Sequence, residues 1–266
     1  MSIVFSYTSL TCILEHIEAN QRIHITSRCS SLTTADKVTP LRLSSVVFET
    51  NRLIINENRY EIYGREIVMC FGSNMFRRKI PVEYQDAHIA VRKLIDVFLG
   101  GRVPMLTYKL RFHFETNPTI PQGLKFKTRC LDVGTHNINV FLPLLTESSF
   151  PLYTLEVNGL SNKKVRHPVL QAADTLIVNN PALHIQSGMR QFQRLTNKTQ
   201  RVRSPEDSKD GVREILTVMD YWVEHGKDVG TYLCVEGWGK AIVQIFIDAM
   251  KWRVDGSYVE LRSRTQ

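Results

Sequence analysis

Leu110-Arg111-Phe112, Leu131-Asp132-Val133, Leu155-Glu156-Val157 and Leu176-Ile177-Val178 are four short β-type triplets whose leading leucines are spaced by 21, 24 and 21 positions. Between them lie segments of helical or turn character, Asn137 to Leu145 and Val169 to Ala173. Strands recurring with a connector of that length pair most simply in parallel, because parallel neighbours need a crossover and antiparallel ones only a tight turn. The reading that decides the fold is therefore an α/β chain with a mainly parallel sheet.

The alternation continues towards the C-terminus. Ser204-Pro205-Glu206-Asp207 resembles a helix start, and Val212, Ile215, Leu216, Met219 and Trp222 follow at helical spacing up to Gly226. Thr231 to Val235 reads as a strand, Ile242, Ile245, Ala249 and Trp252 as a helix, and Tyr258-Val259-Glu260-Leu261 as a last strand. Spacing in the low twenties is that of leucine-rich-repeat-like strand–helix units, although the asparagine ladder of the full consensus is absent. Residues 83–266 are expected to form this βα repeat-like domain. It begins with an amphipathic helix on Tyr84, Ala87, Val91, Leu94 and Phe98, ended by Gly100-Gly101.

On the N-terminal side the period changes. Arg52-Leu53-Ile54-Ile55 and Arg59-Tyr60-Glu61-Ile62 flank Asn56-Glu57-Asn58, which predicts a β-hairpin. With Gly64, Gly72, Asn74 and Pro81, residues 64–82 read as a connecting loop, so 46–82 forms a hairpin-and-loop segment. Leu10, Ile13, Leu14 and Ile17 fall at i, i+3, i+4 and i+7, one face of a helix. Ile25, Cys29 and Leu32 repeat helical spacing, which predicts a second short helix within residues 1–45. Two such helices cannot bury their own apolar faces and must pack on something else.

Composition narrows the function. No stretch reaches the roughly 20 apolar residues of a membrane helix, and the opening residues lack the pattern of a secretory signal. An intracellular protein, cytoplasmic or nuclear, is expected. The cysteines Cys12, Cys29, Cys70, Cys130 and Cys234 are odd in number and widely separated, and each reads as a small buried hydrophobe rather than a zinc or redox ligand. No phosphate loop, nucleophile elbow or metalloprotease helix is present, and the eight histidines are isolated. No cofactor, no metal and no enzymatic activity are expected, a hydrolase with an unrecognised site ranking last. The excess of 34 basic over 26 acidic side chains permits contact with phosphates. The acid-free run from Arg190 to Arg203 would supply Arg190, Arg194, Lys198, Arg201 and Arg203 as a basic patch. A non-enzymatic nucleic-acid-contacting module is thus the alternative reading.

Ser9-Leu10-Thr11-Cys12-Ile13-Leu14-Glu15-His16-Ile17, followed by Asn20 to Leu32, resembles a degenerate F-box, with Tyr7-Thr8-Ser9-Leu10 where that motif has Leu-Pro and without its late tryptophan. The rest is similar to a nematode-expanded family of uncharacterised proteins, on the segments Asn20-Gln21-Arg22-Ile23-His24-Ile25-Thr26-Ser27-Arg28-Cys29, Pro40-Leu41-Arg42-Leu43, Asn51-Arg52-Leu53-Ile54-Ile55-Asn56, Phe98-Leu99-Gly100-Gly101-Arg102 and Leu195-Thr196-Asn197. That resemblance, in layout, to F-box-associated repeat proteins implies a protein–protein recognition module, a substrate adaptor of a ubiquitin ligase. Leu10, Ile13, Leu14, Ile17, Ile23, Ile25 and Leu32 would be divided between the core and a partner helix of the Skp adaptor. The βα region would hold an unknown substrate protein.

Overall fold

A computed structural model describes residues 7–84, 86–114, 120–179, 192–193, 195–203 and 209–251. The expected helix start at 204–207, Trp252 and the expected strand at 258–261 lie outside the described residues. The chain divides into two compact units, the first covering 1–157 with 168–174 and the second covering 158–167 with 175–266. The sequence boundaries at 45/46 and 82/83 fall inside the first unit.

The first unit opens with three helices, α1 (Tyr7–His16), α2 (Ala19–Thr26) and α3 (Ser30–Val38). The second helix expected from Ile25, Cys29 and Leu32 is therefore broken: α2 ends at the cap Ser27, and Cys29 is the extended N-cap of α3. An antiparallel meander follows, β1 (Arg42–Glu49), β2 (Arg52–Ile55), β3 (Asn58–Tyr63), β4 (Glu66–Phe71) and β5 (Asn74–Lys79). Then come α4 (Ala87–Leu99) and the strands β6 (Met105–His113), β7 (Phe126–Asp132) and β8 (Thr154–Asn158). β6 pairs in parallel with β1, β7 with β6 and β8 with β7, so the strand order is β8-β7-β6-β1-β2-β3-β4-β5.

Two strands replace the loop expected over 64–82. Gly64 and Gly72, read as loop punctuation, are instead the positive-φ residues of two tight turns, closed by the pairs Tyr63↔Glu66 and Phe71↔Asn74. The expected hairpin is present, with Asn56 at φ 56° turning β2 into β3. α4 ends at Gly100-Gly101, as expected. Gly100 has φ −67°, and it is Gly101 that takes the left-handed conformation at φ 66°. Gly100 is required for closeness instead, since a Cβ there would stand 2.3 Å from the Asp96 carbonyl oxygen.

Three of the four triplet leucines share one register. Val46, Leu110, Leu131 and Leu155 are direct neighbours across β1, β6, β7 and β8, and all are fully buried. Beside them Phe48 stacks on Phe112, which stacks on Phe141 at a centroid distance of 4.0 Å. Phe141 comes from the β7–β8 connector, where the segment of helical or turn character expected over Asn137 to Leu145 holds a pair of 3-10 turns, Ile138–Val140 and Leu142–Leu144.

Within the second unit, β9 (Thr175–Asn179), β10 (Thr199–Arg203) and β11 (Tyr232–Glu236) pair in parallel in the order β9-β10-β11. Helices Lys209–His225 and Lys240–Lys251 flank β11 in sequence, and the side chains of Leu176, Val178, Val202, Ile215 and Val218 are buried. The chain is thus mixed α/β, with parallel strand pairings in both units and an antiparallel meander in the first. β10 was hidden from sequence reading inside the basic run, where alternate burial of Gln200 and Val202 carries it.

Candidate functional site

The side of β6–β8 opposite the leucine ladder is polar. Alternation along β6 places Lys109, Arg111 and His113 there, and their registered neighbours put Asp132 and Glu156 on the same face. Lys109 Nζ donates to Glu156 Oε2 at 3.0 Å, reaching over β7. His113 Nε2 lies 3.1 Å from Asp132 Oδ2. Both carboxylates are buried while the two cations are partly exposed, so the face offers positive groups resting on a negative floor. Between the two pairs stands Arg111, whose Nε is shielded from solvent and has no hydrogen-bond acceptor among the described residues. A buried donor left unpaired costs about 1–3 kcal/mol, which a bound oxygen would recover.

His113 is held above its ordinary range by the hydrogen bond to Asp132, against the desolvation of burial, with the charges of Asp132 and Glu49 adding. A histidine raised in the folded state contributes stability that is full below its unfolded pKa of about 6.5 and is lost as pH rises through the folded value. Asp132→Asn should lower the His113 midpoint in an NMR titration of the imidazole protons. Asparagine still accepts from the Gly134 N–H, which Asp132 Oδ1 does at 3.1 Å, so the turn survives. An unmoved midpoint would show that the pair is not formed in solution.

The N-terminal residues fall into two groups. Leu14 and Ile23 are buried in the first unit, whereas Ile13 and Ile25 are 42% and 47% exposed. Leu10, Ile17 and Leu32 are half-buried. Tyr7 and Val38 add exposed apolar area on α1 and α3. What fastens these helices is a residue that sequence reading passed over. Arg22 in α2 is 1% exposed, and its Nε meets Asp36 Oδ1 at 2.5 Å. Nη1 donates to the carbonyls of Leu14 and Pro40, and Nη2 to those of Asp36 and Thr39. All five guanidinium hydrogens are thereby used, mainly on carbonyls at the end of α3. Arg102, after α4, closes the same node through Asp36 Oδ2 at 2.7 Å, and Thr26 donates to that oxygen.

The basic patch is only partly assembled. Arg190 and Arg194 lie outside the described residues. Arg201 and Arg203 sit on β10 and share the single carboxylate of Glu236 of β11, at 3.5 and 2.9 Å, so their charge is partly offset. Lys198 just precedes β10, and its carbonyl accepts from Tyr232 N. Of the cysteines only Cys130 is buried, against expectation; Cys12 is exposed on the outer face of α1, and Cys29, Cys70 and Cys234 are half-buried. Among the described residues no cluster of histidine, cysteine and carboxylate side chains could hold a metal ion, and no helix is long and apolar enough to cross a membrane.

These features define a mixed α/β chain with a charged face on its parallel strands. The chain belongs to the family described as Domain of unknown function (DUF3557), whose match covers residues 86–237, more than half of its length. That span runs from the cap of α4 to just past β11, so the polar strand face lies inside it and the three N-terminal helices and the meander precede it. No curated protein and no solved structure matches the chain.

Proposed function

We propose that the chain is a protein–protein recognition module without enzymatic activity, an F-box-like substrate adaptor of a ubiquitin ligase from a nematode-expanded family. The leucine-rich-repeat-like strand face would bind a substrate protein, and the N-terminal helices would recruit the Skp adaptor. The observation that carries the first half is the Nε of Arg111, a shielded donor without an acceptor among the described residues, between the Lys109–Glu156 and His113–Asp132 pairs. A partner's carboxylate or carbonyl oxygen supplies what that group lacks. The second half is supported by the division of the N-terminal residues, in which Leu14 and Ile23 anchor the helices and leave Ile13 and Ile25 facing outward. Apolar side chains on anchored helices are the usual currency of helix-in-groove recognition. The alternative, nucleic-acid contact through the basic patch, is supported less because Glu236 engages Arg201 and Arg203.

The test is co-elution of the purified chain with a purified Skp-type adaptor on size exclusion. A complex is expected, and Ile13→Asp with Ile25→Asp should abolish it while leaving the circular dichroism spectrum unchanged. Separate elution of the wild-type chain and the adaptor would overturn the adaptor reading.

A further inference from the structure

We infer that β5 is a docking edge for an acidic, extended segment of another polypeptide, which adds to the sheet as a further strand. β5 is the outermost strand of the first unit, and each of its residues from Asn74 to Lys79 is exposed. Its pairing with β4 fixes which backbone groups are free. Ile80 N donates to Arg65 O at 2.9 Å, and an antiparallel ladder alternates bonded and unbonded positions. Asn74, Phe76 and Arg78 therefore bond inward to β4, and Met75, Arg77 and Lys79 turn their N–H and C=O groups outward. Three donors and three acceptors at strand spacing form a template for another extended chain.

The side chains select what that chain must be. Arg77, Arg78 and Lys79 follow one another along the edge. Arg77 is 3.6 Å from Glu66 yet 60% exposed, and neither Arg78 nor Lys79 forms an ion pair among the described residues. Phe76 and Met75 are more than half exposed, Phe76 leaning on Phe71. A second copy of β5 would set cations opposite cations, which is destabilising across a strand pair. A nucleic acid would satisfy the charges, but its phosphates only accept hydrogen bonds and would leave the outward carbonyls of Met75, Arg77 and Lys79 to water. A peptide alternating acidic and apolar residues matches both the backbone and the side chains. Phe71 in turn packs edge-on against His24 of α2, so this surface borders the N-terminal helices, while Arg111 lies on β6, separated from β5 by β1 to β4.

The experiment uses the full chain and a fluorescein-labelled, end-capped octapeptide of alternating valine and glutamate, read by fluorescence polarisation. Saturable binding is expected, with none for the valine–lysine counterpart. Methylating the backbone nitrogens of the octapeptide keeps its charge and removes its donors, and should weaken binding by at least about tenfold. Arg77→Pro deletes one outward N–H without touching a bond to β4 and should weaken it similarly. Arg77→Glu with Lys79→Glu should transfer binding to the valine–lysine peptide. Equal affinity for the methylated peptide would reduce the edge to a charge effect and overturn the proposal. So would tighter binding of an oligothymidylate, or no binding at all by a chain whose circular dichroism is unchanged.

Discussion

Arg22→Ala should lower the unfolding free energy by about 3–5 kcal/mol, the cost of removing one partner from a buried ion pair. The side chain is sealed from water and serves the Asp36 carboxylate together with the carbonyls of Leu14, Asp36, Thr39 and Pro40. Alanine strands those acceptors in a space too closed for bulk water. Several of them are the last carbonyls of α3 and the residues just beyond it, so the guanidinium also acts as that helix's C-terminal cap, where positive charge is favoured. Arg22→Lys keeps the charge but offers three donors to five acceptors, and should recover only part of the loss. Urea denaturation followed by far-UV circular dichroism measures this. A loss below about 1 kcal/mol, the size of an exposed pair, would contradict the geometry.

The same node sets a pH dependence. Burial alone would raise the Asp36 carboxyl, but the hydrogen bond and charge of Arg102, with the bonds from Thr26 and Arg22, hold it below the usual range. A carboxylate depressed in the folded state stabilises it fully above its unfolded pKa of about 3.9 and loses that contribution as pH falls through the folded value. Acid unfolding should therefore begin at higher pH in Arg22→Ala than in the wild type.

How this node escaped the sequence reading is instructive. Ala19, Arg22, Ile23 and Thr26 occupy one helical stripe, and all four are buried. An arginine in that stripe reads as a charge at the margin of an apolar face unless its acceptors are known, and those acceptors are backbone carbonyls, which carry no sequence signal. The parallel strands were more legible. Leucine at nearly constant intervals reported a true register, because a position repeated on adjacent parallel strands meets the same layer of core. β4 and β5 were not legible, since a two-residue turn and an irregular loop use the same glycines. β5 in addition buries no residue, so no apolar alternation marks it. The polar strand face follows from the triplets by parity, yet the pairing of His113 with Asp132 and of Lys109 with Glu156 depends on diagonal reach that spacing does not encode.

Phe112→Ala should carry the second large effect, again about 3–5 kcal/mol. Phe112 is fully buried in β6 and lies nearly parallel both to Phe48 of β1, at 5.3 Å, and to Phe141 of the β7–β8 connector, at 4.0 Å. The ring joins the sheet to the 3-10 turns that cover it, which also bury Ile138 and Leu144. Ile138 and Leu144 are anchored by their own backbone turns, so a cavity left between Phe48 and Phe141 stays open and its full cost is felt. Phe112→Leu fills much of that volume and should cost well under half as much. Circular dichroism is the suitable probe, because Trp222, Trp238 and Trp252 all belong to the second unit and their fluorescence reports on that unit. A small loss for alanine, comparable to that for leucine, would mean that the connector collapses onto β6. The stacked rings would then be incidental to holding the parallel strands and their polar face in place.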